Sequence, residues 1–216
     1  MSWLGENWRW VGELLRAHLF IALPATALAV LVSVPIGRFA HRFPKVGGVI
    51  LSGATLTYAI PSLPLLVAVP LVIGTPLRSP LTIIAALGLY GMALLVRTAS
   101  DAFSSVDQTV IDGATAVGHS RRTLLWTVEL PLALPVLVSG IRVVAVSTVG
   151  LVTIGALVGI PSVGTLLTDG FKRDIMAEVG TGIAATVLLA LVLDAVVLLA
   201  GRVLTPWMRA VGRVAA

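Results

Sequence analysis

Two opposite charges stand in the middle of long apolar runs: Arg142 in LPLALPVLVSGIRVVAVSTVG and Asp194 in VLLALVLDAVVLLAG. Each lies about ten residues from the same end of its run, roughly 15 Å along a helix that rises 1.5 Å per residue. A lone charge at that depth in hydrocarbon is costly. Two opposite charges at equal depth are natural partners and fix the register of the helices that carry them. The expectation is therefore an intramembrane ion pair. The competing chemistry is functional: Asp194 drawing in a cationic solute or carrying a proton.

Little other chemistry is available. His18, His41 and His119 are scattered and form no HExxH-type pair, so no metal site is expected. The chain has no cysteine, which removes thiolate ligands and a cysteine nucleophile. No nucleophile stands beside a base in the spans, so a membrane enzyme is disfavoured.

The elements that carry Arg142 and Asp194 follow from composition. The 216 residues are 57% hydrophobic and 12% charged, against about 25% charged in a soluble domain. Most of the surface must face lipid. The chain reads as an all-α polytopic membrane protein forming one domain over residues 1–216. Five segments are long and apolar enough to span: Leu19–Ile36, Val46–Ile73, Leu81–Val96, Leu132–Ile160 and Gly182–Leu204. The second holds YAIPSLP, where Pro61 and Pro64 predict a kink or two short helices. Irregular backbone at membrane depth belongs where protein or a wet cavity surrounds it. Tyr58, Pro61, Ser62, Pro64 and, in the third span, Tyr90 are accordingly candidate path residues. The N-terminal 17 residues, with Trp3, Trp8 and Trp10, read as an interfacial segment and not as a signal peptide.

Cationic residues set the expected orientation. With the N-terminus outside, one side holds nine, namely Arg38, Arg42, Lys45, Arg97, Arg121, Arg122, Arg202, Arg209 and Arg213. The other holds five, namely Arg9, Arg16, Arg78, Lys172 and Arg173. The richer side is expected to be cytoplasmic. The C-terminus and the loop 107–130 then lie inside, and the loop 161–179 lies outside. The net charge of +5 is explained by this bias and needs no nucleic acid.

The loop IDGATAVGHSRRTLLWTVELPLALP interrupts the apolar runs. Asp112 suits a helix start. Gly113 and Ala114 allow close approach of another surface, and Gly118 suits a left-handed helix end. Ser120 caps a second short helix carrying Leu124, Leu125 and Trp126 on one side. Pro131 and Pro135 mark the return to the membrane. The picture is a helix–turn–helix on the cytoplasmic surface.

The spacing in this loop resembles the signature of ABC importer permeases: EAA, three residues, G, nine residues, I, any residue, LP. Asp112, Gly113 and Ala114 stand for EAA; Gly118 follows; Val128, Leu130 and Pro131 close the motif. Asp112, Gly113 and Val128 depart from the consensus. VELPLALPVLVSGIR, YAIPSLP and VGIPSVGTLL are further similar to the permeases of osmoprotectant importers, which handle glycine betaine, carnitine and choline. The resemblance runs from about His18 to Pro206.

That resemblance implies a type I importer permease with a methionine-importer-like core, in a bacterial cytoplasmic membrane. It implies a coupling helix that docks on a cytoplasmic ATPase, with Arg121 and Arg122 meeting acidic groups or lipid. It also implies a second permease chain, a different one being favoured over an identical one, and an external binding protein. ATP and Mg are expected on the ATPase, since this chain has no GxxxxGK[ST] loop. The turn after the fourth span, with Pro161 and Ser162, is a candidate external gate. The alternatives are a permease for another solute such as methionine, or a secondary transporter using Asp194.

Overall fold

The computed structural model describes residues 2–207, which are almost entirely helical. In chain order the helices are α1 (Ser2–Arg42), α2 (Pro44–Ala59), α3 (Ser62–Ile73), α4 (Pro80–Ser104), α5 (Gln108–Ala116), α6 (Arg121–Leu124), α7 (Leu130–Val152), α8 (Gly164–Lys172) and α9 (Met176–Leu204). Among the described residues, four helical stretches are long and apolar enough to cross a membrane, and the bent pair α2–α3 makes a fifth. The chain is all-α as expected, and the count of spans reaches the expected five when the bent pair is taken as one.

The centre is α4, which packs against α1, α2, α3 and α7. Ile21, Ala22 and Ala25 of α1 meet Ile83, Ala86 and Leu87 of α4 and Ala145, Val149 and Val152 of α7. Leu65 and Leu66 of α3 and Leu189 and Leu193 of α9 close this core. Such contact in lipid depends on small residues, because apolar burial alone does not drive helices together there. At Gly37 a Cβ would stand 2.8 Å from the backbone nitrogen of Ser100, and at Gly140 it would stand 2.6 Å from the Thr98 methyl.

Several boundaries differ from the sequence reading for physical reasons. The N-terminal segment is helical and continues without a break into the first span. Trp3, Trp10, Val11 and Leu14 recur at helical spacing and pack with Val163, Leu166 and Ala185. Of the three tryptophans only Trp8 is strongly exposed, at 62%. The second span is two helices. The chain bends by 112° between them, with Pro61 at the N-terminal boundary of α3 and Ser62 as its first residue. The segment 161–179 holds α8, packed on α9, where the sequence suggested a loop.

The second short helix of the interrupted stretch is not a surface helix either. Helix α6 passes through a wider π-helical turn, Leu125–Glu129, directly into α7. A 3-10 turn, Thr153–Val158, then completes one stretch from Arg121 to Val158. Pro131 and Pro135 therefore mark no break. The Leu130 N–H already donates to the Leu125 carbonyl, one residue out of α register, so Pro131 follows a ladder that has shifted. Leu124, Leu125 and Trp126 share no face: Leu124 is buried, Leu125 half-buried and Trp126 67% exposed.

Candidate functional site

Asp107, not Asp112, begins the first loop helix. Its Oδ1 accepts the Thr109 backbone N–H at 2.8 Å and the Thr109 hydroxyl at 2.8 Å. These two donors favour the charged form and hold the Asp107 carboxyl below the usual carboxylate range. Asp112 lies one turn inside α5, exposed, and accepts from the Gln108 side-chain amide at 2.9 Å. The signal for the true cap was present in the sequence, as an Asp two residues before a Thr.

The far end of α5 matches the sequence reading. Gly118 takes φ +91°, a conformation that a side chain makes unfavourable. His119 then donates its backbone N–H to the Ala114 carbonyl at 3.1 Å. Ser120 caps α6, accepting the Thr123 N–H at 3.3 Å. No residue of α5 is buried, and a Cβ on Gly113 would meet nothing within 4 Å. Arg121 and Arg122 are exposed, while Ala114, Val128, Leu130 and Pro131 are half-buried.

An apolar floor holds this loop. Ala99, Ala102, Phe103 and Val106 cluster with Ala133 and Leu137, and Ile111, Leu125 and Leu130 pack on them. Beside the floor lies a cavity of about 340 Å³ lined by Arg38, His41, Arg42, Asp112, His119 and Arg121, among others. Arg38 of α1 reaches across to Glu129 of the π-helical turn, Nε to Oε2 at 2.9 Å. Sequence reasoning missed this pair. Its partners lie 91 positions apart, and Glu129 occupies the free position between Val128 and Leu130 of the loop motif.

The membrane-depth pair is formed. Arg142 Nε and Nη2 donate to Asp194 Oδ1 and Oδ2 at 2.8 and 2.7 Å. The other sequence-selected residues fall in separate places. The rings of Tyr58 and Tyr90 lie 5.0 Å apart, joining α2 to α4. Tyr58, Pro61 and Pro64 are exposed and Ser62 is half-buried. Pro161 is exposed. Ser162 is fully buried; its hydroxyl accepts the Gly164 N–H at 3.1 Å and donates to the Val152 carbonyl at 3.3 Å. Ser162 thus braces a turn. Glu178, also missed, is a fully buried carboxylate whose nearest cation is Arg173 at 3.9 Å.

Arg38, His41, Arg42 and Arg121 gather at one end of the bundle. Arg78 lies against Gly159 and Arg173 beside Glu178 at the other. Arg209 and Arg213, counted in the charge bias, lie outside the described residues.

Comparison with known proteins places this architecture. Residues 19–210 match the binding-protein-dependent transport system inner membrane component family. The chain belongs to that family. It is a permease, a transport component of an inner membrane. The permease is 31% identical over 192 residues to the osmoprotectant import permease protein OsmW of Salmonella typhimurium, covering 88% of this chain and 89% of that one. It is 26% identical over 206 residues to the glycine betaine/carnitine/choline transport system permease protein OpuCD of Bacillus subtilis, covering 95% and 89%. Its fold superimposes on two inward-facing structures of the MetNI methionine ABC transporter. The TM-scores are 0.79 and 0.81 at 19% and 18% identity, covering 88% and 93% of this chain. At those identities the match speaks for the fold, and it is the fold expected.

Proposed function

We propose that this permease forms the membrane path of an ATP-driven importer for quaternary ammonium compatible solutes of the glycine betaine, carnitine and choline class. ATP and Mg are bound by a separate cytoplasmic ATPase. The observation that carries the coupling part is the exposed helix α5 with its left-handed Gly118 turn, seated on the ends of α4 and α7. Asp112, Gly113 and Gly118 offer small or charged contacts to the ATPase. Arg121 and Arg122 add a cationic rim, which tunes association more than it supplies affinity. Ala114, Val128, Leu130 and Pro131 transmit the push into the floor.

The end with Arg38, Arg42 and Arg121 is then cytoplasmic. The N-terminus and α8 lie outside, where an extracytoplasmic binding protein delivers solute. The names of the relatives support the solute class. Tyr58 and Tyr90 offer the path aromatic faces of the kind that hold quaternary ammonium groups. Pro161 and Ser162 shape the outer turn, and Pro61, Ser62 and Pro64 shape the bend in the second span. A single five-span chain is too thin to enclose a polar route, so a second permease completes it, a related but different chain being favoured. Solute uptake by the assembled system tests the reading. Glycine betaine, carnitine or choline should compete with one another for uptake, and methionine should not.

A further inference from the structure

Arg142 and Asp194 are bonded to each other yet not enclosed. Their side chains retain 36% and 26% of their accessible surface. Arg142 belongs to one open face of α7 on which Ser139, Arg142, Val143, Val146, Ser147 and Gly150 recur at intervals of three and four residues. Ser139, Val143, Val146 and Gly150 are exposed, and a Cβ on Gly150 would meet nothing within 4 Å. An open groove of about 470 Å³ is lined by this face and by Asp194 together.

This is not how a lipid-facing surface is made. The face of α9 away from Asp194 presents Leu188, Val192, Val196 and Leu199, all bulky and apolar. The α7 face instead interleaves Val143 and Val146 with Ser139, Ser147 and Gly150, and it is charged near its middle at Arg142. Charged groups at bilayer depth face the bundle interior or a water-filled cavity, because hydrocarbon solvates them poorly.

We propose that this face of α7, together with Asp194, is a wall of the water-filled solute route. The Arg142–Asp194 pair is the polar step in that wall, presenting one fixed positive and one fixed negative group to a zwitterionic or quaternary ammonium solute. The inference rests on the permease reading and adds to it a location and two residues. It also gives the pair a reason to be half-exposed that helix register alone does not supply.

The absence of cysteine makes the test direct. Ser139→Cys and Ser147→Cys would be introduced singly into the complete transporter in membranes, with Leu199→Cys as the lipid-facing comparator. Each would be treated with a cationic and an anionic methanethiosulfonate. A thiol reacts as the thiolate, which needs water, so both reagents should modify positions 139 and 147 at least about tenfold faster than position 199. No reaction, or reaction no faster than at 199, would mean that lipid or a partner chain covers the face, and the proposal would be overturned. Uptake by the unlabelled variants reports separately on the permease reading, so intact uptake without labelling sinks only the present inference. The neutral pair Arg142→Gln with Asp194→Asn keeps hydrogen-bonding capacity. It should assemble yet change the preference between choline and glycine betaine; an unchanged preference would remove the role assigned to the charges.

Discussion

The guanidinium of Arg142 meets the carboxylate of Asp194 with two parallel hydrogen bonds, 2.8 and 2.7 Å long, across the boundary between α7 and α9. A bidentate pair fixes distance and rotation together. It ties the helix that leaves the loop 107–130 to the last span of the bundle. Removing either partner strands a charge at membrane depth. Arg142→Ala and Asp194→Ala should each reduce the amount of assembled permease recovered from membranes. The exchange Arg142→Asp with Asp194→Arg should restore much of it. Quantitative blotting of the detergent-soluble complex reads this, and full recovery of either single variant would remove the structural role.

Arg38 and Glu129 make the corresponding tie at the loop. Glu129 closes the π-helical turn, so this contact links the end of the loop to α1. Glu129→Gln should leave ATP hydrolysis by the assembled transporter largely intact while lowering solute moved per ATP. Arg38→Glu with Glu129→Arg should recover coupling better than either single change. Uptake and phosphate release measured in the same proteoliposomes separate the two quantities.

Gly118 turns the loop at φ +91°. A residue with a Cβ pays about 1–2 kcal/mol there. Gly118→Ala should weaken docking modestly. Gly118→Asp, which adds bulk and charge at the turn, should abolish stimulated uptake without lowering the level of the permease itself. Comparing membrane abundance with uptake for the two variants checks the order.

Asp107 caps α5 with its carboxylate. Its folded-state pKa is depressed, so the cap's contribution is complete above the unfolded carboxylate pKa and is lost only as the pH falls through the lower, folded value. Association with the ATPase should therefore not vary from neutral pH to pH 5 on account of this group. Asp107→Asn keeps an accepting oxygen and should be close to neutral, whereas Asp107→Ala should fray α5 and weaken association. A binding titration at two pH values on the three proteins reads all of it.

Gly164 packs so tightly that a Cβ would collide with the Thr153 carbonyl oxygen. Gly164→Ala must push α8 away from the 3-10 turn, an overpacking strain of about 1–3 kcal/mol. The thermal midpoint of the purified permease should fall. No shift would mean that the Ser162 turn is looser than described.

How much of this was legible in the sequence depended on the range of the signal. Arg142 and Asp194 announced each other because charge is rare in apolar runs and depth is readable from position. Gly118 was legible because one conformation favours one residue type. The break at Pro61 was legible as a break, but its 112° bend depends on how α3 packs under α4. Asp112 stands in the loop motif and suits a helix start by type, but the cap belongs to Asp107, whose Thr109 supplies both donors. The Arg38–Glu129 pair had no local signature, since neither residue is unusual where it stands. The N-terminal tryptophans suggested a headgroup anchor by type. The packing of Trp3 and Trp10 with Val163 and Leu166 had no signal in the sequence, because only the fold brings those residues near.

A permease that draws its energy from another protein through α5 and the Gly118 turn should be found in its membrane with that protein bound. The most direct measurement is gentle purification of the chain from its native membrane, with the accompanying proteins identified and quantified, for the unaltered protein and for Gly118→Asp. An ATPase subunit should accompany the first in comparable amount and be lost from the second. If the unaltered chain emerged alone and still moved solute across liposomes, the coupling account would be contradicted, and ion coupling at Asp194 would be the mechanism to pursue.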